Sequence, residues 1–403
     1  MTEVIGKTEN KKGYKKTKLG WIPEDWKMVC FKELFDEVVN LSNDTETYPL
    51  YSLTLENGVT PKTERYERSH LLKDKNENEF KLISEGEIAI NPMNLRFGAF
   101  FMSKVPETVS LSAYYDIVKA KKDTVNVIFY DAFMKSASAR RLYQRIATGS
   151  LDEKKRIHLS ELKKQLVPYP KKEEQDKIAE ILSTWDEGIE TLEKLIEQKE
   201  ILKKATMQKL FFEKESWQMM RFDKIFKDFC KKNCPRERLL SATQENGVIP
   251  RDMLSGKVMS PEGSLNGYKL IEAGDFVISL RSFQGGLEYS KYRGILSPAY
   301  TVLKNIIDID KNFYRHFFKS YKFIEKYLSI SVIGIRDGKQ ISYSDLSSVK
   351  IPYPPLEEQE KIGKILNCYD EEIQLLNSKL EKLKEQKKGL MQKLLIGQIR
   401  VKV

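Results

Sequence analysis

Apolar side chains recur at alternating steps of four and three near the C-terminus of the chain, at Ile362, Leu366, Tyr369, Ile373, Leu376, Leu380, Leu383, Leu390 and Leu394, broken only at Lys387. A repeat averaging 3.5 residues keeps one stripe turned toward a partner helix, which is the seam of a coiled coil. The same stepping appears upstream at Ile178, Leu182, Trp185, Ile189, Leu192 and Ile196. Pro170 and Pro354-Pro355, each followed within a few residues by Glu-Glu-Gln, supply the start signals. The pattern predicts two helices of roughly 38 to 40 residues, each about 60 Å long at ~1.5 Å per residue. Neither seam is stable alone, and the obvious mate of each is the other, packed antiparallel in pseudo-twofold symmetry.

The two helices belong to a longer duplication. Residues 167–212 align with 351–396 at a constant offset of 184, without a gap, and 21 of the 46 pairs are identical; chance would give roughly three. Weaker echoes precede them: Ile157, Ser160 and Leu162 answer Ile341, Ser344 and Leu346, and Trp26 with Phe31 answers Trp217 with Phe222. Between these lie a shared Glu-Asn-Gly-Val at 56–59 and 245–248, Gly86 with Ile90 against Gly274 with Ile278, and Leu-Ser before Tyr115 and Tyr300. So long a period describes two whole domains, each followed by its own helix, not a solenoid. The intervening stretches, rich in Tyr, Phe, Ile and Val and punctuated by Gly, Pro and Asn, predict mixed α/β domains of short strands. The expected organisation is α+β, with a basic N-terminal arm at 1–19, domains at 20–166 and 213–350, and helical spacers at 167–212 and 351–403.

Composition narrows the function. The 69 Lys and Arg against 58 Asp and Glu leave a net charge of +11, compatible with a polyanionic partner, although many basic proteins bind none. Cys30, Cys230, Cys234 and Cys368 are few and scattered, which fits a reducing, cytoplasmic compartment without disulfides. Cys230 and Cys234 lack the second ligand pair of a zinc site. The basic stretch through Lys18 precedes no apolar run, so neither a signal peptide nor a membrane span is expected.

With its two P-Y-P…E-E-Q…I…I-L…D-E-x-I segments, the N-terminal Gly20-Trp-Ile-Pro-Glu-Asp-Trp26, Leu296-Ser-Pro-Ala-Tyr300 and Arg336-Asp-Gly-Lys-Gln340, the chain resembles the specificity subunit of type I restriction-modification systems over essentially its whole length. The resemblance implies two target-recognition domains that each read one half of a split double-stranded DNA site. It also implies helical spacers that fix the gap and bind two methyltransferase subunits, with translocating restriction subunits joining that core. No cofactor, metal or catalysis of its own is implied.

Candidate base readers sit beside Gly, Pro or Asn punctuation, where loops are expected: Tyr51, Lys62, Arg65, Asn94 and Arg96 in the first domain, and Arg251, Arg281, Gln284, Lys291 and Arg293 in the second. Arg, Asn and Gln carry the paired groups that base edges require. Arg140, Arg141, Arg145 and Lys154-Lys155-Arg156 suit phosphate contacts, with a solvated helix face as the competing explanation. An active site is harder to assemble. Asn91-Pro92-Met93-Asn94 lacks the second proline and aromatic of an amino-methyltransferase, and Glu153-x-Lys155 lacks an upstream metal partner. Gly256-Lys257 is followed by Val258 and not by Ser or Thr, and His70, His158 and His316 have no nucleophile arrangement around them. A scaffold that never reads DNA and a cryptic DNA-modifying enzyme are the alternatives; the first would lack a contiguous basic face, and the second would bind a cofactor.

Overall fold

The structure is a computed structural model, and it describes residues 12–62, 79–121, 123–150, 155–212, 217–254, 265–280, 282–329 and 341–402. Two helices dominate it, Lys172–Leu210 and Leu356–Leu394, each of 39 residues and each beginning just after its proline signal. The chain divides into two compact units, one of residues 1–191 with 380–403 and the other of residues 192–379. The divisions fall inside the helices, so each unit holds the first half of one helix and the second half of the other.

Both units are built from the same elements. In the first, the strands Phe100–Met102, Ile88–Ile90, Asp116–Ala120 and Phe35–Val38 form an antiparallel sheet in that order. In the second, Glu288–Tyr289, Phe276–Ile278, Thr301–Asn305 and Phe226–Phe229 repeat it. Each unit also has a short hairpin, Tyr51–Thr54 with Gly58–Pro61 and Leu240–Thr243 with Gly247–Pro250. The Glu-Asn-Gly-Val echo is its turn. Gly58 and Gly247 adopt φ of +66° and +69°, and a Cβ would lie 3.0 Å from the Phe101 ring or 2.7 Å from the Tyr289 carbonyl oxygen, so both positions require glycine. Tyr14–Thr17, expected within a basic arm, pairs instead with Gly20–Pro23, and Lys15 Nζ donates to the carbonyl oxygens of Glu24 and Trp26.

Each domain is fastened to the start of its helix by one repeated network. Gln175 and Gln359 are fully buried. Gln175 Oε1 accepts the Asn126 backbone N–H at 2.9 Å, while its amide donates to the carbonyls of Pro170 at 2.9 Å and Thr124 at 3.2 Å. Gln359 Oε1 accepts the Asp310 N–H at 3.0 Å and its amide donates to the Pro354 carbonyl at 2.8 Å. Asn126 and Asp310 in turn cap Val127–Lys135 and Lys311–Phe317. Tyr130 and Tyr314 donate to the carbonyls of Pro168 and Pro352 at 2.9 and 3.0 Å. Trp26 Nε1 donates to Glu174 and Trp217 Nε1 to Glu358, both at 2.9 Å. The Glu-Glu-Gln motif is thus a socket for the domain as well as a helix start.

Within each unit the two helix segments run antiparallel, as the seams predict. In the first unit Leu394 and Leu395 join Ile178 and Leu182 in a core with Trp26 and Phe129, and Lys387 pairs with Asp186. In the second, Phe211 packs with Ile362, Leu366 and Phe313, and Lys203 pairs with Asp370. Lys203 and Lys387 are 184 residues apart, as are Asp186 and Asp370, so the polar break in the seam is a duplicated ion pair. In the second unit Lys199 also pairs with Glu372 at 2.7 Å, and polar pairs in an apolar seam favour one alignment over slipped ones. Among the described residues no helix is long and apolar enough to cross a membrane.

Two outcomes follow for stability. Gln359→Leu should strip the partners from the Asp310 N–H and the Pro354 carbonyl and cost about 3 kcal/mol in urea denaturation, at ~1–3 kcal/mol per orphaned group; a cost near zero would deny the socket its role. His316, buried and 2.9 Å from Asn367 Oδ1, has its pKa pulled from 6.5 down to about 4 by desolvation, despite Asp370 nearby and with Arg315 and Lys203 opposing a further charge. Because the folded value lies below the unfolded one, the stability linked to a neutral His316 is complete above pH 6.5 and fades as pH falls toward 4. Wild type should therefore lose about 2 kcal/mol more than His316→Gln between pH 7 and pH 5; equal losses would exonerate the imidazole.

Candidate nucleic-acid interface

The core of each unit sits where the sheet and helices meet the long-helix ends, and the loops at the other elements carry the polar side chains. Three loop positions recur in both units. The first is the residue after the hairpin. Lys62 N–H donates to the Leu50 carbonyl at 3.3 Å and Arg251 N–H to the Leu239 carbonyl at 3.1 Å, so two candidates chosen separately occupy one equivalent place. Lys62 is exposed, and Arg251 is half-buried with Nε donating to Ser241 Oγ at 3.1 Å.

The second recurring position is the turn after the strands Ile88–Ile90 and Phe276–Ile278. In the first unit it is the 3-10 turn Leu95–Phe97, which lies against the helix Ala137–Ile146 and bears Asn94 and Arg96. In the second it is Ser282–Gly285, which bears an exposed Gln284. Gly98 and Gly286, at φ of +98° and +72°, end the two turns, and at Gly286 a Cβ would collide with the Phe318 carbonyl at 1.8 Å. A Cβ at Gly98 would stand 3.9 Å from Arg140 Nη2, so the turn that bears Asn94 and Arg96 lies beside Arg140. Arg65 and Arg281 lie outside the described residues, as do Lys154 and Arg336–Gln340.

The third position follows a serine. Ser103 N–H donates to the Glu87 carbonyl and Ser290 N–H to the Asp275 carbonyl, at 2.7 and 2.9 Å, which makes exposed Lys104 the counterpart of exposed Lys291. Lys104 escaped the sequence reading, although the repeated Ser-Lys dipeptide signals it. Exposed Asn57 and Asn246 at the hairpin tips escaped too, in spite of the Glu-Asn-Gly-Val echo.

The remaining candidates are engaged differently. Tyr51 is half-buried against the small core of Val38, Leu53 and Val109. Arg293 is held by Glu237 at 2.8 and 3.0 Å and by Glu272 at 3.5 Å, so reading a base would cost those contacts. Arg140, Arg141 and Arg145 are all exposed on Ala137–Ile146, and Arg141 also donates to Ser138 Oγ at 3.0 Å and to the Leu19 carbonyl at 3.4 Å. Arg156 pairs by its backbone with Thr148 and lines a cavity of about 360 Å³ with Glu37, Tyr114, Asp116, His158 and Lys163. Burial there raises the Asp116 pKa against the pull of Lys81, 3.8 Å away. In the second unit Lys319 draws the Gln244 and Gly285 carbonyls together with Glu288, whose pKa burial likewise raises. Among the described residues no three His, Cys, Asp or Glu are grouped to hold a metal.

The surface offers Lys, Arg, Asn and Gln on turns backed by rigid sheet, which suits hydrogen bonding to base edges and phosphates. A family model described as the type I restriction modification DNA specificity domain matches the chain twice, at residues 23–201 and 214–385. The putative type I restriction enzyme MjaX specificity subunit of Methanocaldococcus jannaschii is 26% identical over 424 residues, covering 96% of this chain and 97% of its own. The MjaVIII specificity subunit of the same organism is 28% identical over 421 residues, with 94% of each covered. Among solved structures, the type I restriction-modification S subunit from M. genitalium superposes with a TM-score of 0.55 at 18% identity, over 92% of this chain and 96% of that one. A chain from a structural study of type I restriction-modification complex assembly and conformational transition gives 0.58 at 15% identity, over 94% and 99%. At such identities these structures speak for the fold alone.

Neutralising two of these exposed arginines, Arg140→Gln with Arg145→Gln, should flatten the slope of log affinity against log salt by about 1 to 2 at ~0.9 per phosphate contact. An unchanged slope would remove this helix from the interface.

Proposed function

Because the chain belongs to the family of type I restriction-modification specificity subunits, we propose that each of its two domains reads one half of a bipartite DNA site on behalf of the other subunits. The chain is a DNA sequence-recognition subunit of such a complex and is itself non-catalytic. The finer reading assigns residues 20–166 to one half-site and 213–350 to the other, with the helical stretches 167–212 and 351–403 fixing the gap. Those helices dock two methyltransferase subunits, and restriction subunits join the assembly in the cytoplasm.

One observation carries this reading. The sockets of the two units repeat one set of hydrogen bonds and the seams one ion pair, while the turns they support differ in side chains and, after Ser103 and Ser290, in length. Selection for two different readers on one frame leaves that pattern; a scaffold would have no reason to diversify its turns. Asn94, Arg96 and Lys62 in the first domain, and Gln284, Lys291 and Arg251 in the second, are the readers this assigns, with Arg140 and Arg145 on phosphates. Tyr51, Arg65, Arg141, Arg281 and Arg293 rank behind them.

The test is co-expression with the methyltransferase subunit encoded beside the chain, followed by mapping of modified bases across the host genome. One two-part motif with an unspecified gap is expected, and exchange of residues 20–166 for those of a relative should change one half only. A stable complex that leaves no motif would favour the scaffold.

A further inference from the structure

We propose that Phe97 is a specificity determinant whose ring packs on the C5-methyl group of a thymine in the major groove of the first domain's half-site. The proposal rests on the DNA-reading function above.

The turn that carries Phe97 is rigid. Asn91 N–H donates to the Ala99 carbonyl at 3.1 Å, closing the loop, and the Asn94 carbonyl accepts the N–H groups of Phe97 and Ala99 at 2.9 and 3.2 Å. Asn91 Oδ1 accepts the Met93 N–H at 3.1 Å. Leu95 is buried completely and plugs the turn into the domain core. Between that plug and Gly98, however, Phe97 is left 51% exposed, with Met93 beside it at 42%. A backbone this fixed holds a large ring in water, where hydration opposes it.

The ring is not bare. Arg96 lies over its face, with the guanidinium carbon 4.5 Å from the centroid, and Arg140 stands beyond Gly98. An apolar tip rimmed by guanidinium groups complements a polyanion that presents an apolar spot. Thymine is the one base that carries a methyl group on its major-groove edge. In the second unit the position of Phe97 is taken by Gly285, and the exposed apolar side chain of that turn is Leu280, 55% exposed at its start.

Once the half-sites are mapped, each thymine in the first can be replaced by deoxyuridine, which lacks only the methyl group. In the complex with the methyltransferase subunit, one such position should weaken wild-type binding about four-fold, equivalent to the ~0.8 kcal/mol of one buried carbon. Phe97→Ala should weaken binding to thymine DNA similarly, ignore the replacement, and keep full discrimination in the second half-site, which also shows that the variant folds. The proposal falls if the first half-site holds no thymine, if wild type is indifferent to deoxyuridine throughout, or if Phe97→Ala binds as wild type. Persistent weakening by Phe97→Ala without a deoxyuridine effect would instead mark a wedge between base steps or a protein contact. Loss of all sequence-specific binding by the wild-type complex would overturn the DNA-reading function itself.

Discussion

A buried carboxamide holds each half of this molecule together. Gln175 and Gln359 reach from the first turn of a long helix to the backbone N–H that precedes another helix and to the carbonyl of a proline one turn back. Each satisfies backbone groups that water cannot reach, so the alternative to the bond is a desolvated, unpaired peptide group. The tryptophan indoles on Glu174 and Glu358 and the tyrosine hydroxyls on the proline carbonyls add further directional bonds to the same junction. A domain fastened this way has one orientation on its helix. Rigid orientation is what a reader needs, because base-edge hydrogen bonds tolerate little angular error.

From that junction the rest of each unit follows. The strand that precedes each helix pairs with the strand after each tryptophan, Leu166–Tyr169 with Lys27–Cys30 and Lys350–Tyr353 with Gln218–Arg221, which encloses the sheet and its aromatic core. The other long helix closes the core with its last turn, through Leu394 and Leu395 in one unit and Phe211 in the other. In the first unit this closing segment reaches further. Arg400 bonds both Asp25 and Glu174, and Tyr14 Oη donates to the Gly397 carbonyl. Residues near the two ends of the chain thereby take part in the core of the first unit.

Much of this was legible in the sequence, and for physical reasons. Heptad stepping and an ungapped offset survive because helix packing punishes every insertion, so the long helices, their antiparallel pairing within each unit and the duplication could be read directly. The strands and hairpins were visible only as echoes such as Glu-Asn-Gly-Val, because the constraint there is a glycine φ and a close approach, not a side-chain type. Lys387 looked like a flaw in the seam because its partner, Asp186, is distant in sequence. Arg293 looked like a free base reader because Glu237 lies 56 residues away in sequence. Lys104 passed unnoticed because equivalence between domains of different turn length needs the hydrogen-bond register: the two tryptophans are 191 residues apart and the two helices 184. Arg65 and Arg281 fall outside the described residues.

Hydroxyl-radical footprinting of the complex with its methyltransferase subunit on a methylation-mapped DNA site tests the central claim most directly. The account predicts that removing or exchanging the turn Asn91–Gly98 abolishes protection at one half of the site while the other half keeps its wild-type pattern. Loss of protection at both halves together, or none at either, would contradict a molecule made of two readers on independent sockets.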